Sequence, residues 1–303
     1  MDGIINVYKE AGYTSFDVVA KLRGILKTKK IGHTGTLDPQ ATGVLPVCVG
    51  RATKLCELLL EKEKVYEAVF LPGVITDTED LTGTVLERRT VNLTKEELCE
   101  VAESFLGDYD QIPPMYSALK VNGQKLCNLA RSGKEIERNA RRVEIYENTV
   151  LSCITGENGN VREAVIRVRC SKGTYIRTLL SDMGNKLGCG ACMKALKRTA
   201  AGPFAIEDAV LLSDIEKMRD LGRLDEILQP IDHFLSGYPA ITIKEEYERF
   251  LYNGNKLTWD MLQAFPESKE GKFRVYDTSG CLIGFYELNS DDGVFHSVKM
   301  FLP

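Results

Sequence analysis

A glycine-rich loop runs directly into an apolar segment in the stretch Ile31-Gly-His-Thr-Gly-Thr-Leu-Asp-Pro-Gln-Ala-Thr-Gly-Val-Leu-Pro-Val-Cys-Val-Gly-Arg51. The apolar run Val44–Val49 predicts a buried strand. Glycines before it allow positive φ and close backbone approach, while Pro39 pushes Asp38 toward an extended conformation. The stretch therefore places a lone carboxylate on a stiff loop at the edge of a sheet, where functional residues tend to lie.

Asp38 has two interpretations on these residues alone. An Asp-Pro pair beside threonine and glycine is common in ordinary turns, where the carboxylate bonds to its own backbone. The same carboxylate on a rigid loop could act in catalysis. The glycine spacing fits neither the dinucleotide-binding fingerprint nor the phosphate-binding P-loop, so the loop carries no nucleotide motif.

The totals describe an ordinary globular protein. The chain has 303 residues, of which 44% are hydrophobic and 27% charged, and this length fits one large domain with a small one. No run approaches the length of a membrane span. The start lacks the basic and long apolar regions of an export signal. We therefore expect a cytoplasmic protein with no membrane partner.

The residues that could hold a metal do not form a recognisable site. The nine cysteines are odd in number and scattered, which favours reduced thiols over a disulfide framework. Cys189 and Cys192 form a Cys-x-x-Cys pair, but no second pair follows, so zinc is not expected. The acidic run Thr76–Asp80 lacks the spacing of a calcium loop and predicts a polar turn.

Charge is distributed unevenly along a chain whose net charge is −4. Residues 207–303 hold 10 Lys and Arg against 18 Asp and Glu, whereas Met115–Arg142 holds seven basic and two acidic residues. A basic patch on an acidic protein can attract a polyanion to one face. A solvated helix face explains the patch equally well on charge alone.

Hydrophobic periodicity predicts alternating strands and helices. Gly3–Lys9 predicts a strand, Thr14 with Asp17 predicts a capped helix start, and Arg51–Lys62 predicts one helix. Three further segments stand out beside the glycine loop. They are the predicted strand Lys64–Phe70 with Tyr66, the stiff segment Gln111–Lys120 with Pro113 and Pro114, and Lys172–Arg177 leading into a helix.

Together these motifs resemble the TruB family, the bacterial B-type tRNA pseudouridine-55 synthases. The resemblance rests on Gly32–Pro39 with Ala41–Pro46, on the Pro-Pro-x-x-Ser-Ala-x-Lys pattern from Pro113, and on Lys172–Arg177. It implies an enzyme, an isomerase that converts uridine 55 in the T loop of tRNA to pseudouridine. The base is flipped and its glycosidic bond is rearranged with the help of an aspartate. No cofactor and no metal are implied.

The resemblance also implies the architecture. It predicts an α+β fold: a mixed, largely antiparallel sheet with flanking helices and a central cleft. Residues 1–236 would form this catalytic domain, with an RNA-gripping insertion at about 115–142, and residues 237–303 a small β-rich, PUA-like RNA-binding domain. The acidity of the last segment argues against strong RNA binding by it.

For the site, the resemblance implies that Asp38 is the catalytic carboxylate, that Arg177 pairs with it and that Tyr66 faces the target base. An arginine beside a carboxylate favours the charged form of that carboxylate. The predicted catalytic residues are therefore Asp38, Tyr66 and Arg177. The predicted RNA contacts are His33, Tyr66, Tyr175, Leu196, Lys125 and Arg131.

Two other classes of protein compete with a stand-alone enzyme. A non-enzymatic RNA-folding module would keep the scaffold but would need none of Asp38, Tyr66 and Arg177. A guide-RNA-dependent synthase subunit would share the loop but carry basic tails and partner-binding extensions. The acidic end and the insertion favour a monomer that binds the T stem-loop of tRNA without a guide RNA or an obligate protein partner.

Overall fold

A computed structural model of the chain describes residues 1–117, 119–121, 123–134, 136–264 and 270–302, without the side chains of Lys120 and Lys125. Its strands are β1 (Gly3–Lys9), β2 (Ile31–His33), β3 (Thr42–Val49), β4 (Lys64–Pro72), β5 (Val74–Thr76), β6 (Val85–Arg88), β7 (Gly107–Gln111), β8 (Lys120–Val121), β9 (Gln124–Lys125), β10 (Arg141–Thr155), β11 (Val161–Cys170), β12 (Ala191–Ala201), β13 (Phe204–Ala205), β14 (Ala240–Thr242), β15 (Gly271–Tyr276), β16 (Leu282–Leu288) and β17 (Phe295–Met300). Its α-helices are α1 (Ser15–Leu26), α2 (Cys56–Leu60), α3 (Lys95–Glu103), α4 (Leu126–Arg131), α5 (Ile176–Lys186), α6 (Leu212–Asp220), α7 (Ile231–Leu235) and α8 (Glu248–Tyr252).

The main sheet has the order β1-β3-β12-β4-β11-β10-β7, with β2 paired to β3 and β13 paired to β12. β12 runs parallel to β3, so that Arg198 lies opposite Gly43, whereas the other described pairings of this sheet are antiparallel. Gly43 has a φ of +102°, and a Cβ there would lie 2.1 Å from the Arg198 carbonyl oxygen. Only glycine therefore allows the end of the glycine loop to approach β12 so closely.

Helices cover the sheet in two groups. α3 and α5 bury Leu98, Leu179 and Met183 against β4, β10 and β11. α1 and α6 bury Leu22 and Ile215 against β1 and β3. Burial of apolar surface of this kind is the main favourable term in folding. The predicted fold class is confirmed, because the sheet is mixed and largely antiparallel and is flanked by helices.

The start of α1 follows the capping prediction. The Thr14 hydroxyl accepts a hydrogen bond from the Asp17 N–H at 3.0 Å, and the Asp17 carboxylate accepts one from the Thr14 N–H at 2.8 Å. Thr94 and Glu97 make the same exchange before α3. Each exchange satisfies backbone donors that a helix end leaves without partners.

The single helix predicted over Arg51–Lys62 is wrong. Gly50–Leu55 forms a 3₁₀ helix, and α2 covers only Cys56–Leu60. The Thr53 hydroxyl donates to the Gly50 carbonyl at 2.7 Å inside the tighter segment. Short 3₁₀ pieces of this kind commonly connect longer elements.

The predicted insertion leaves the main sheet after β7 and returns to it at β10. β7 ends at Gln111, shortly before Pro113 and Pro114. Proline has no N–H to donate to a sheet ladder, so the strand does not continue through these residues. The β8–β9 pair and α4 lie between these points. The Arg138 guanidinium donates to the Pro113 carbonyl at 3.0 Å, which ties the end of the insertion to its beginning.

The C-terminal sheet, β14-β15-β16-β17, has a core of its own around Phe273 and Tyr286. Phe285 and Phe301 pack instead in the cluster that contains Leu55 of the first part of the chain. The C-terminal sheet is therefore joined to the rest through an apolar contact. The domain boundary at residue 236 and the PUA-like character of this sheet remain predictions. None of the helices in the described part of the chain has the length and apolar content needed to cross a bilayer.

Candidate active site

Asp38 lies on the glycine loop, and hydrogen bonds to its two chain neighbours, Leu37 and Pro39, hold it in place. The Leu37 N–H donates to the Ser15 hydroxyl at 2.9 Å. The fully buried Lys9 ammonium donates to the Pro39 carbonyl at 2.9 Å. The Asp38 side chain itself is 38% exposed. The backbone is therefore fixed on either side of a carboxylate that faces a cleft.

Arg177 meets Asp38 from the first turn of α5. Its Nε lies 3.0 Å from Oδ2 of Asp38, and its side chain is only 6% exposed. Other guanidinium N–H groups donate to the Thr78 and Tyr116 carbonyls, each at 3.0 Å. A planar guanidinium with several fixed acceptors has little freedom. The structure thus brings the predicted pair together and holds the arginine rigidly.

A second carboxylate, Asp80, also faces this arginine, with Oδ2 3.7 Å from Nε of Arg177. Its Oδ1 accepts from the Thr78 hydroxyl at 2.8 Å and from the Thr82 N–H at 2.9 Å. The sequence pattern predicts the polar turn but not the contact with Arg177. The only local signal is an aspartate in an acidic run, which does not reveal a partner so distant along the chain.

Two cavities open on either side of the Asp38–Arg177 pair. The larger cavity, about 640 Å³, is lined among others by Asp38, Asp80, Tyr116, Arg131, Arg177, Lys194 and Leu196. The smaller cavity, about 360 Å³, is lined among others by Asp38, Lys64, Tyr66, Tyr116, Tyr175, Arg177, Leu196 and Arg198. Asp38, Arg177 and Leu196 therefore belong to the wall between the two cavities.

The smaller cavity has flat and apolar walls. Tyr66 on β4 and Leu196 on β12 are both buried. Burial raises the pKa of the Tyr66 phenol, so this side chain is uncharged near neutral pH. Tyr175 contributes a further ring. Walls of this kind suit a planar ligand, with polar groups placed at its edges.

Gln111 fixes the position of Tyr175. The Gln111 side-chain amide donates to the Tyr175 carbonyl at 2.9 Å, and its oxygen accepts from the Tyr175 N–H at 2.8 Å. Gln111 is buried, so these two bonds are shielded from water. The clamp orients Tyr175, which immediately precedes α5, and so also supports Arg177 in the first turn of that helix. Sequence reasoning missed Gln111, whose only signal is its place before the double proline.

Two buried cations line the smaller cavity. Arg198 is 1% exposed, and its guanidinium donates to the Val44 carbonyl at 2.7 Å and to the Gly35 carbonyl at 3.2 Å. Lys64 is 6% exposed and donates to the Leu60 carbonyl. Burial lowers the pKa of Lys64 to about 8. Neither residue is predicted from the sequence, because a cation in a strand does not by itself indicate a site.

The other predicted RNA contacts are Arg131, His33 and Lys125. Arg131, at the end of α4, lines the larger cavity. His33 on β2 accepts at Nδ1 from the Gly35 N–H at 3.3 Å and lines neither cavity. Burial lowers the pKa of His33. The side chain of Lys125 lies outside the described residues, so its RNA contact stays a prediction.

Metal ligation finds no support in the arrangement of side chains. In the described ranges, no group of His, Cys, Asp and Glu is placed to hold a metal ion. All nine cysteines are free, and Cys189 and Cys192 are buried.

Comparison with known proteins identifies the family. The model described as "TruB family pseudouridylate synthase (N terminal domain)" matches residues 23–176, and "tRNA pseudouridylate synthase B C-terminal domain" matches residues 177–236. The tRNA pseudouridine synthase B of Lachnoclostridium phytofermentans is 53% identical, with 100% of each chain covered. That of Clostridium kluyveri is 43% identical with the same coverage.

Solved structures agree with this assignment. A Cbf5–Nop10–Gar1 complex matches with a TM-score of 0.74 and 26% identity, covering 99% of this chain and 85% of that chain. An H/ACA RNP bound to a substrate RNA containing 2'-deoxyuridine matches with a TM-score of 0.72 and 25% identity, with the same coverage. The architecture is that of the pseudouridine synthases. Within that class, the chain belongs to the TruB family of pseudouridylate synthases.

Proposed function

We propose that this protein isomerises the T-loop uridine of tRNA, uridine 55, to pseudouridine, with Asp38 acting at the glycosidic bond. The observation that carries the proposal is the ion pair of Asp38 and Arg177, 3.0 Å apart, in the wall shared by the two cavities. Membership of the family supports the reaction. Relatives named tRNA pseudouridine synthase B support tRNA as the substrate.

The smaller cavity suits a flipped base. A base inside a folded RNA loop must leave its stack before an enzyme can reach its glycosidic bond. Tyr66, Tyr175 and Leu196 offer flat and apolar surfaces for that base. Asp38 opens into the same cavity, so a ring held there would bring its sugar to the carboxylate.

Asp38 needs its negative charge and a fixed position for this chemistry. Arg177 supplies both, because its own guanidinium is held by the Thr78 and Tyr116 carbonyls. A preorganised pair of this kind acts without rearrangement at the moment of reaction. An ionised carboxylate can attack the sugar carbon, add to the base or take up a sugar proton, and each route starts from the same Asp38.

The insertion reaches the same cleft. Tyr116 and Ser117 line both cavities, and Arg131 lines the larger one. The basic patch Met115–Arg142 lies in this insertion, with seven basic and two acidic residues. Phosphate contacts dominate the affinity of proteins for nucleic acids. We propose that the insertion holds the backbone of the T stem-loop while the base occupies the smaller cavity.

A guide-dependent subunit is the second candidate, because the solved structures that the chain resembles include a Cbf5–Nop10–Gar1 complex and an H/ACA RNP. A stand-alone enzyme is better supported, since relatives named tRNA pseudouridine synthase B are 53% and 43% identical over whole chains. We therefore propose a monomer that works without guide RNA, protein partner or cofactor. Its place is the cytoplasm, because its substrate is tRNA.

The test is the purified chain on an unmodified tRNA transcript that carries tritium at C5 of its uridines. Pseudouridine formation replaces the C5–H bond, so tritium released into water measures turnover. Release by the chain alone supports the proposal. Release only after addition of a guide RNA would favour the subunit. Tight binding of the transcript without release would favour an RNA-folding module.

A further inference from the structure

The smaller cavity holds more positive charge than its acidic residues balance. Arg177 is matched by Asp38 at 3.0 Å and by Asp80 at 3.7 Å. Arg198 and Lys64 line the same cavity, and neither has a carboxylate within ion-pair distance among the described residues. Both donate instead to main-chain carbonyls. Two cations in the cavity therefore have no anionic partner in the described part of the protein.

Holding such cations is costly for the fold. A buried charge without an opposite charge loses hydration that main-chain carbonyls only partly replace. Arg198 is almost fully buried, so it cannot regain hydration by turning toward water. Perturbed and unpaired charges in a cleft are typical of functional sites. The arrangement indicates that an anion, or a group that becomes anionic, occupies the cavity during function.

The proposed reaction creates such a group. The C1′–N1 bond breaks, and its electron pair stays with the uracil ring, where it spreads over N1 and the carbonyl oxygens. C1′ is left electron-deficient, and the Asp38 carboxylate compensates for this by facing the cation, by bonding to C1′ or by taking up a neighbouring sugar proton until the ring returns. The ring turns, and its C5 forms the new bond to C1′. C5 then releases its proton to water, and N1 takes one up. Atoms and electrons balance without an oxidant or a co-reactant, but the detached ring is negatively charged between the two bonds.

We propose that Arg198, supported by Lys64, stabilises the negative charge on the detached uracil ring. The inference rests on the proposed function and deepens it, because it assigns the base-leaving step to named cations. A charge fixed in a dry cavity acts strongly on charge that develops in the transition state. Tyr66 is the strand partner of Arg198, so a ring stacked on Tyr66 would lie next to the guanidinium.

The walls of the cavity favour a base over a phosphate as its occupant. Tyr66, Tyr175 and Leu196 are flat or apolar, whereas a phosphate needs donors on several sides. Among the described residues, the exposed cations Arg131 and Lys194 line the larger cavity instead. Backbone phosphates can therefore be held outside the smaller cavity, and its buried cations remain free to face the ring.

Arg198 also has a structural contact that the test must separate from this role. Its bonds to the Gly35 and Val44 carbonyls flank the loop that carries Asp38. If Arg198 only shaped this loop, its loss would slow every substrate by the same factor. If it stabilises the leaving ring, its loss would matter less for a base that leaves more readily. Fluorine at C5 withdraws electrons and gives such a base.

The experiment compares two T-arm hairpins, one with uridine and one with 5-fluorouridine at the target position. Single-turnover loss of the starting nucleoside is measured for the parent and for Arg198→Met, Arg198→Lys and Lys64→Met. Lys197→Met is the matched control, because Lys197 lies on the same strand but pairs with Glu67 and lines neither cavity. The ratio of the two rates does not depend on how much of a variant is folded.

We expect Arg198→Met to slow loss of uridine by about 10²-fold, as for removal of an oxyanion donor. In the same variant, the factor by which loss of 5-fluorouridine is slowed should be smaller than the factor for uridine by at least about tenfold. Arg198→Lys should recover part of the rate of uridine loss. Lys64→Met should show the same dependence on the substrate with a smaller effect. Lys197→Met should slow the loss of neither nucleoside. An equal defect on both substrates would overturn the inference and leave Arg198 a loop-shaping residue.

Failure of this inference is distinguishable from failure of the proposed function. If the parent protein converts uridine and only the substrate dependence of Arg198→Met is absent, the function stands and the role of Arg198 is wrong. If the parent leaves the target nucleoside of both hairpins unchanged, the proposed function fails first.

Discussion

The cleft buries two cations, Lys64 and Arg198, that have no carboxylate partner among the described residues, whereas two cations of the C-terminal sheet, Arg274 and Lys299, are paired with carboxylates. In the cleft, Lys64 and Arg198 donate to main-chain carbonyls. At the C-terminal sheet, Arg274 lies 2.7 Å from Asp232, and Lys299 pairs with Glu57. A paired cation is used in packing, but an unpaired one can still act on a ligand. The difference indicates that the cleft is the part of the molecule built to meet negative charge.

The same contrast appears in the local charge. The basic patch Met115–Arg142 has seven basic and two acidic residues, but residues 207–303 have 10 against 18. Phosphate is therefore attracted to the insertion and repelled on average by the last part of the chain. Changes in the cleft should alter activity and RNA binding, and changes in the C-terminal sheet should alter stability.

Among the changes that test this contrast between the cleft and the C-terminal sheet, Arg177→Met should give the largest effect, a loss of turnover. It removes the cation that fixes Asp38, so turnover should fall by about 10³-fold, or roughly 4 kcal/mol of barrier. Lys at this position lacks the two-pronged geometry and should rescue turnover only in part. Turnover and circular dichroism are measured on the same samples.

The matched control is Arg274→Met, which removes the paired arginine of the C-terminal sheet. It should lower stability but leave the turnover of folded protein unchanged. Near-normal turnover in both Arg177→Met and Arg177→Lys would remove Asp38–Arg177 from the mechanism.

Phe285→Ala should mainly destabilise the protein. Phe285 is 2% exposed and packs against Tyr238 with ring centroids 4.8 Å apart, so its loss should cost about 3 kcal/mol. Chemical denaturation measures the change, and Phe250→Ala is the control because Phe250 is 45% exposed. A normal unfolding free energy for Phe285→Ala would mean that the C-terminal sheet contributes little to the core.

Charge reversal in the insertion should have a smaller effect, on binding. Arg131→Glu with Lys134→Glu should weaken tRNA binding by about tenfold. The slope of log affinity against log salt should fall by about one for each phosphate that the variant no longer binds. Lys256→Glu, in the C-terminal part, is the control that reverses a lysine outside the patch. If the Arg131→Glu, Lys134→Glu double variant and the Lys256→Glu control bind tRNA with the same affinity and the same salt slope as the parent, the basic patch is only a solvated face.

The smallest effect should appear in the pH dependence of stability. Burial lowers the pKa of Lys64 to about 8 from its ordinary value of 10.5, so between these values the unfolded chain binds more protons than the folded one. The contribution of Lys64 to stability should therefore rise with pH across this window. Arg198, Cys170, Glu61 and Lys172 face Lys64 from the neighbouring elements.

Denaturation of the parent and of Lys64→Met near pH 8 and pH 9 isolates this contribution. The parent should gain about 1 kcal/mol more than the variant over this interval. The turnover of the parent should fall over the same interval, because Lys64 loses its charge. Parallel stability curves for the two proteins would show that Lys64 is not a buried cation.

Local patterns in the sequence predict much of the fold. The cap of α1 by Thr14 and Asp17 depends on four consecutive residues, so it is visible without the structure. β14 is not visible in this way, because its three residues become a strand only by pairing with the distant β15. The 3₁₀ segment Gly50–Leu55 is likewise mistaken for α-helix, because both have similar apolar spacing.

The site likewise has residues that the sequence predicts and residues that only the folded structure reveals. The family resemblance predicts Asp38 and Arg177 as a pair, and the structure places them in contact. It does not predict that Asp80, Gln111 and Arg198 belong to the site, since each contacts a residue that is distant in the sequence. Such partnerships are set by how strands and helices meet, and composition or spacing does not encode them locally.

The catalytic role of Asp38 is tested most directly by Asp38→Asn, which keeps the shape of the side chain and removes its charge. Single-turnover conversion and equilibrium binding of one T-arm hairpin are measured for the parent and the variant. We predict that the variant binds the hairpin as tightly as the parent and forms no detectable pseudouridine. Conversion by Asp38→Asn within about tenfold of the parent, a difference of roughly 1.4 kcal/mol in barrier, would contradict this role.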